Sequence, residues 1–318
     1  MTIKSKPVYI SSRETAEVIL DKYDHFLFDC DGVIWLDEKL IPGVAAFLAR
    51  LVELNKTFTF VSNNSSKSRD TYVTKFKRLG IPNIAKEQIY PTCYSSALEL
   101  RKLGIEKGSK VWILGDSGIE EEVREMGYIP LGGTDPRLDT PFDPEHPLLK
   151  VDPEVKAVVV GSTKDFNYMR ISSTLQYLLY NDKSIPFIGA NIDRSFPGPG
   201  GMILPAGGSM VNYMSYTSHR TFINAGKPSR EFLDIILEDC NFERSKTLMV
   251  GDTLYTDIKF GNDGKLGDGH GSLLVLSGGT KFTDLKKVID EPHLFEEAET
   301  LMPSFYTESL GALIDLLE

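Results

Sequence analysis

Two acids stand two positions apart where an apolar run stops: His25-Phe26-Leu27-Phe28 leads into Asp29-Cys30-Asp31-Gly32. Farther along come Ser62-Asn63-Asn64-Ser65-Ser66, then Lys227-Pro228, then Gly251-Asp252 with Asp257 five positions on. Carboxylates held together repel unless a divalent cation neutralises them. Oxygen-only ligands favour Mg²⁺, which keeps several waters and shares a substrate phosphate. One Asp can then attack phosphorus and form an aspartyl-phosphate. A second Asp two residues on can protonate the leaving oxygen and later deprotonate water. Ser62, its neighbouring backbone N–H and Lys227 can hold the phosphoryl oxygens as negative charge redistributes. The set therefore reads as machinery for phosphoryl transfer, in which Asp29 and Asp31 share a metal site and have different roles.

Each member alone has an ordinary explanation. Asp-x-Asp-Gly is a common turn, and an EF-hand calcium loop is excluded because its fifth and twelfth ligand positions fall on Val33 and Leu40. Ser62-Asn63-Asn64, Asp252 and Asp257 could each cap a helix, and a lone lysine is usually solvated. The weight lies in their order and in the elements that must carry them. "DHFLFDCDG" reads as a buried strand, "PGVAAFLARLVELNK" as a helix with Val44, Phe47, Leu48 and Leu51 on one face, "TFTFVSNNSS" as strand and polar turn, and "SRDTYVTKFKRLG" as a helix ending at Gly80. The same grammar returns in "SREFLDIILEDC", "TLMVGDT", "YTDIKFGND" and "SLLVLSGG". Alternating strands and helices predict an α/β fold with a Rossmann-like, doubly wound parallel sheet, where ligands gather at the carboxyl ends of the strands. Every candidate above sits at such an end.

Between these halves lies a stretch with its own strands, "KVWILGD", "VKAVVVGS" and "PFIGAN", and Pro/Gly-rich loops. It reads as a second α/β domain inserted into the first: residues 1–91 plus 224–318 form the core and 92–223 the insert.

Composition narrows the partners. The 318 residues carry a formal net charge of −10, and no basic stripe alternates with aromatics, so nucleic acid is not an expected partner. No apolar run approaches membrane-spanning length, so neither is a membrane. An acidic chain that handles an anion must build a local positive site from a metal, an isolated lysine or helix N-termini. Cys30, Cys93 and Cys240 are scattered and read as reduced thiols of a cytosolic protein. The first 20 residues lack the apolar core of a signal peptide and "GALIDLLE" carries no legible address. His25, His146, His219, His270 and His293 form no cluster, against a zinc site. Cys30 reads as a small buried residue rather than a redox sensor, and Trp35 as either lining for a substrate entrance or a core aromatic.

"FDCDGVIW", "FVSNNSSKSR", "AGKPS" and "VGDTLYTDI" resemble the four motifs of the haloacid dehalogenase-like phosphatases, over nearly the whole chain, and most closely the eukaryotic phosphoglycolate phosphatase/4-nitrophenylphosphatase group. The resemblance implies Asp29 as nucleophile, Asp31 as general acid/base, Lys227 as orienting residue, and Ser62, Asn63 and Asn64 as phosphate-loop residues. It implies Mg²⁺ held by Asp29, the Asp31 carbonyl and Asp252, with Asp257 beside it. The insert resembles the family's cap, and "GANIDRSFPGPGGMILPAGGSM" resembles its specificity loop, with Asn191 and Asp193 in matching places. Related pyridoxal-phosphate phosphatases have His before the loop proline and Arg soon after the Asn pair. Here Phe196 precedes Pro197 and the run is "SSKSR", which leans toward 2-phosphoglycolate, with Arg194 and Lys67 as candidate contacts for its carboxylate. "PAGGS" departs from the family's usual Pro-Gly-x-Gly, and "NDGKLGDGHGS" is longer than usual and reads as a mobile surface loop. The expectation is a Mg²⁺-dependent hydrolase of a small phosphorylated metabolite, homodimeric through the cap and cytoplasmic, with the nucleus as the other compartment. The alternatives are pyridoxal 5′-phosphate or phosphoprotein as substrate, a phosphate-storing receiver domain, and a catalytically silent scaffold.

Overall fold

The computed structural model describes residues 6–197, 200 and 202–318. The chain divides into two compact units: the first gathers the chain up to Ser62, Val73–Ile89 and Lys227–Glu318, and the second Asn63–Tyr72 with Tyr90–Gly226.

The first unit is built on a sheet whose strands run, in spatial order, Val8–Tyr9, Phe305–Thr307, Ser272–Val275, Thr247–Gly251, His25–Phe28 and Thr57–Ser62, with Ile89–Pro91 at the far edge. The first six pair in parallel, with Phe28 opposite both Val250 and Phe60. A central parallel strand is covered on both faces, which is why His25–Phe28 is an unbroken apolar run rather than an alternating one. The Phe28 ring lies within 6.3 Å, centroid to centroid, of the rings of Phe26, Phe47, Phe58 and Phe60. Helix Val44–Glu53 buries Val44, Phe47, Leu48 and Leu51, the face its spacing predicts. Helix Arg230–Cys240 starts where the Ser229 hydroxyl accepts the Phe232 N–H, 3.3 Å away.

The second unit has its own parallel five-stranded sheet, in the order Ile223–Asn224, Phe187–Gly189, Val155–Val160, Lys110–Leu114, Ile129–Gly132. Trp112 anchors one side of it: its ring stacks on Tyr177, with centroids 4.5 Å apart, and its N–H donates to Thr174 at 2.9 Å.

Three features differ from the sequence reading. Asn63–Tyr72, which the sequence assigns to the core, belongs to the second unit. Arg69 explains why: its backbone N–H and Nε donate to the buried Glu122 carboxylate at 2.7 and 2.9 Å, and its guanidinium lies 3.5 Å from the Tyr94 ring centroid. The sequence reads "FPGPGGMILPAGGS" as a loop, but Ser195–Pro197 and Ile203–Pro205 pair there as an antiparallel ribbon; residues 198, 199 and 201 of that loop lie outside the described residues. The double glycine of "PAGGS" also has a reason, since a Cβ on Gly208 would meet the Ile192 carbonyl carbon at 2.2 Å. Finally, the "NDGKLGDGHGS" connection is partly packed rather than simply surface: Leu266 is buried, and Gly267, at φ +53°, leaves no room for a Cβ beside Tyr23.

Candidate active site

Parallel register brings the chemistry-bearing residues of the first unit to one end of its sheet. Asp29 follows the strand His25–Phe28 directly and its N–H donates to Val250 O at 2.9 Å, while Asp252 follows Thr247–Gly251. Ser62 closes the strand Thr57–Ser62 and is buried. Lys227 reaches this point fully buried: its ammonium donates to Asp29 Oδ1 at 2.6 Å and to Val61 O at 2.8 Å. It also lies 2.7 Å from Asp257 Oδ1, an ion-pair distance without hydrogen-bond alignment.

Asp257 sits in a π-helical turn, Leu254–Ile258, a widening often found at functional sites. The turn lets its Oδ2 accept the N–H groups of Asp252 and Thr253 at 3.1 and 3.0 Å, so this carboxylate fixes the loop that carries Asp252. Asp252 in turn accepts from Gly279 N–H at 2.5 Å and from the Thr253 hydroxyl at 3.2 Å. Only glycine fits there, since a Cβ on Gly278 would lie 2.0 Å from Asp252 Oδ2.

Asp29, Asp252 and Asp257 each offer an oxygen within 4.8 Å of the others, and all three are buried. Three carboxylates thus face one lysine. Burial pushes the Asp29 carboxyl well up, Lys227 opposes this, and Asp257 and Asp252 add to it. Burial, reinforced by Asp257, pushes Asp252 up to about 7. For Lys227 burial works the other way, but the Asp257 and Asp29 carboxylates outweigh it and hold the ammonium charged. The cluster is short of positive charge and its donors are all oxygens, which is the donor set a hard divalent cation fits. Asp29 and Asp252, with the Asp31 carbonyl on the turn between them in sequence, are the residues that would hold it.

This charge deficit has a measurable consequence. The folded-state pKa of Asp252 lies above its unfolded value, so stability from the neutral acid is complete below the ordinary carboxylate pKa and is lost as pH rises through about 7. Chelated protein is therefore expected to melt at lower temperature near pH ~8 than near pH ~5.5, and Mg²⁺ to raise the melting temperature more at the higher pH. Thermal melts with chelator or Mg²⁺ at both pH values check this; equal Mg²⁺ shifts would contradict it.

Asp31 is exposed, and its Oδ1 accepts the Trp35 indole N–H at 2.8 Å. Trp35 is not on the surface: it is 1% exposed and packs edge-on against Phe76, with centroids 5.0 Å apart. Cys30 between the acids is buried and desolvation pushes its thiol well up, the opposite of a reactive thiolate.

The remaining expected site residues gather in the second unit. The Asn63 amide donates to Asp193 Oδ1 at 3.2 Å, the Asn191 amide donates to Asn63 O at 2.6 Å, and Asn191 Oδ1 accepts Asp193 N–H at 3.2 Å. Asn64 Oδ1 accepts both the N–H and the hydroxyl of Ser66, at 2.8 and 2.7 Å. Sequence reasoning missed two participants, the Gly278-Gly279 support of Asp252 and the Trp35 donor to Asp31. The Ser-Gly-Gly after an apolar strand was the available signal for the first; Trp35 carried none beyond its aromatic ring.

Three buried acids, two of them just after strands and one in the turn that follows, around a buried lysine on a parallel sheet interrupted by an α/β insert, define a class. The chain belongs to the haloacid dehalogenase-like hydrolases: the family model of that description matches residues 26–129, and a second, HAD-hydrolase-like model matches residues 224–301. It is 39% identical to a 4-nitrophenylphosphatase of Schizosaccharomyces pombe, covering 96% of this chain and 98% of that one. It is 34% identical to phosphoglycolate phosphatase 2 of Arabidopsis thaliana, over 94% and 95%, and 32% identical to a glycerol-3-phosphate phosphatase of Gallus gallus, over 96% and 95%. Among solved structures it is similar to a p-nitrophenyl phosphatase from Archaeoglobus fulgidus, with a TM-score of 0.74 at 25% identity, covering 92% of this chain and 99% of that one. The protein is a phosphatase of this family.

Proposed function

We propose that the protein is a Mg²⁺-dependent hydrolase of small phosphate monoesters that works through an aspartyl-phosphate on Asp29, with 2-phosphoglycolate as its preferred substrate. The observation that carries this reading is the buried Asp29–Lys227 pair, 2.6 Å apart, beside Asp252 and Asp257. A bound Mg²⁺ would mask the repulsion between the attacking carboxylate and the phosphate dianion. Lys227 fixes one Asp29 oxygen, which leaves the other to attack phosphorus. Asp31 gives a proton to the ester oxygen as the P–O bond breaks, and the alcohol leaves neutral. Asp31 then takes a proton from water as the water oxygen bonds to phosphorus; the acyl-phosphate bond breaks, and inorganic phosphate and the Asp29 carboxylate are released. Ser62 and Lys227 hold the phosphoryl oxygens throughout.

Substrate choice rests on the insert. Phe196 before Pro197 and the "SSKSR" run support phosphoglycolate over pyridoxal 5′-phosphate, and Arg194 and Lys67 supply positive charge for a second carboxylate. Relatives named for glycerol-3-phosphate make that ester the second reading. Phosphate release measured with 2-phosphoglycolate, glycerol 3-phosphate, pyridoxal 5′-phosphate and p-nitrophenyl phosphate at equal concentration decides. The proposal expects the highest kcat/KM on 2-phosphoglycolate, and a higher value on any other metabolite overturns that choice. No release from any of the four overturns the enzyme reading.

Homodimerisation through the insert is part of the proposal. It is supported by exposed apolar side chains there, Tyr216 (81% exposed) and Ile203 (72% exposed) foremost; a monomer by sedimentation equilibrium would contradict it. A cytoplasmic or nuclear location is proposed from the three free cysteines, and cell fractionation reads it.

A further inference from the structure

Asp31 is exposed, yet a general acid must be held in one orientation to transfer a proton. The turn that carries it is closed by the N–H groups of Ile34 and Trp35, which donate to Cys30 O at 2.9 and 3.2 Å, and by Gly32 N–H, which donates to Trp35 O at 2.7 Å. That closure sets the backbone but leaves the Asp31 side chain free to rotate. The Trp35 indole N–H, 2.8 Å from Asp31 Oδ1, removes that freedom. The indole itself cannot move, because the ring is fully buried against Phe76. Above its face lies the buried Lys75, with Nζ 4.1 Å from the ring centroid and donating to Asp37 O at 2.9 Å. A cation over the π face draws electron density from the ring and strengthens its N–H as a donor.

We propose that Trp35, backed by Lys75, is a positioning residue for the general acid/base Asp31. It pins Oδ1, so that Oδ2 carries the transferred proton, and it stabilises the carboxylate left behind when the leaving oxygen has been protonated. Among the described residues Oδ2 has no protein hydrogen-bond partner. This inference rests on the hydrolase reading of the site.

The test compares two substrates that differ in how much they need an acid. An alkyl phosphate such as 2-phosphoglycolate expels a basic alkoxide and depends on proton donation; p-nitrophenyl phosphate expels a stable phenolate and barely does. Trp35→Phe keeps an aromatic side chain, though a smaller one, and deletes the N–H. Its kcat/KM is expected to fall about 10-fold or more on 2-phosphoglycolate and far less on p-nitrophenyl phosphate, as partial loss of general-acid catalysis requires. The ratio of the two is independent of the fraction of enzyme that is folded, so a merely structural role would not move it. Lys75→Met is expected to shift the ratio the same way by a smaller factor, and it carries the test if Trp35→Phe yields no soluble protein. An unchanged ratio in the variant tested overturns the inference. Wild-type enzyme inert on both substrates would overturn the hydrolase reading instead.

Discussion

Asn at position 29 is expected to stop phosphate release, with kcat lower by on the order of 10⁴-fold or more, while the fold survives. The amide has the size of the carboxylate but cannot attack phosphorus. Stability should not suffer, because Asp29 is one of three buried acids that share one lysine, and burial already pushes its carboxyl toward the neutral form. Removing one negative charge leaves Lys227 with Asp257 at 2.7 Å. Asp29→Asn in chelator is therefore expected to melt at or above the wild-type temperature by circular dichroism, and to release no phosphate above background. A clearly lower melting temperature would mean that the Asp29–Lys227 contact matters more to folding than the crowding of the acids.

Lys227→Met is expected to do the opposite. It deletes the buried ammonium that faces all three acids and leaves their charge uncompensated, which costs on the order of 3–5 kcal/mol when one partner of a buried pair is removed. Catalysis is expected to fall as well, by about 10²-fold or more, because the donor to Asp29, and under the proposed mechanism to the phosphoryl oxygens, is gone. The two losses separate with metal. Under the proposed metal site, added Mg²⁺ would return positive charge to the acids and is expected to recover much of the melting temperature, but not the activity, since a cation held by Asp29 and Asp252 would not replace the ammonium that fixes Asp29. Melts and phosphate release with and without Mg²⁺ check both. Full activity in the variant would show that Lys227 is structural only.

These two effects follow from residues that the sequence already exposed. Asp29 and Asp252 were legible because a parallel strand buried on both faces is a largely apolar run whose end is marked by the next polar residue, and Ser62 because it opens the polar run that closes Thr57–Ser62. Lys227, expected at a strand end, does not end a strand of that sheet, since Ile223–Asn224 before it belongs to the second unit's sheet. The helix Val44–Glu53 was legible from 3.6-residue spacing for the same reason. What stayed hidden was long-range. Nothing near Arg69 announces that it pairs with Glu122, 53 positions away, so the sequence reads Asn63–Tyr72 with the core while its contacts group it with the second unit. The support of Asp252 by Gly279, 27 positions on, depends on backbone N–H groups that every residue has. The Trp35–Asp31 bond lies only four positions apart but needs a turn geometry that local composition does not specify. The ribbon at Ser195–Pro197 was masked by the proline and glycine around it, which usually signal irregular chain.

The central claim is that phosphate passes covalently through Asp29. The direct measurement is to quench the enzyme in acid during turnover, reduce with borohydride, digest, and analyse the peptide that spans residues 25–35 by mass spectrometry. Borohydride reduces an aspartyl-phosphate to homoserine and leaves a free carboxylate untouched. The account predicts homoserine at position 29, Asp unchanged at position 31, and no modification in the absence of substrate. Robust phosphate release with position 29 unmodified, or homoserine at another acid, would contradict it.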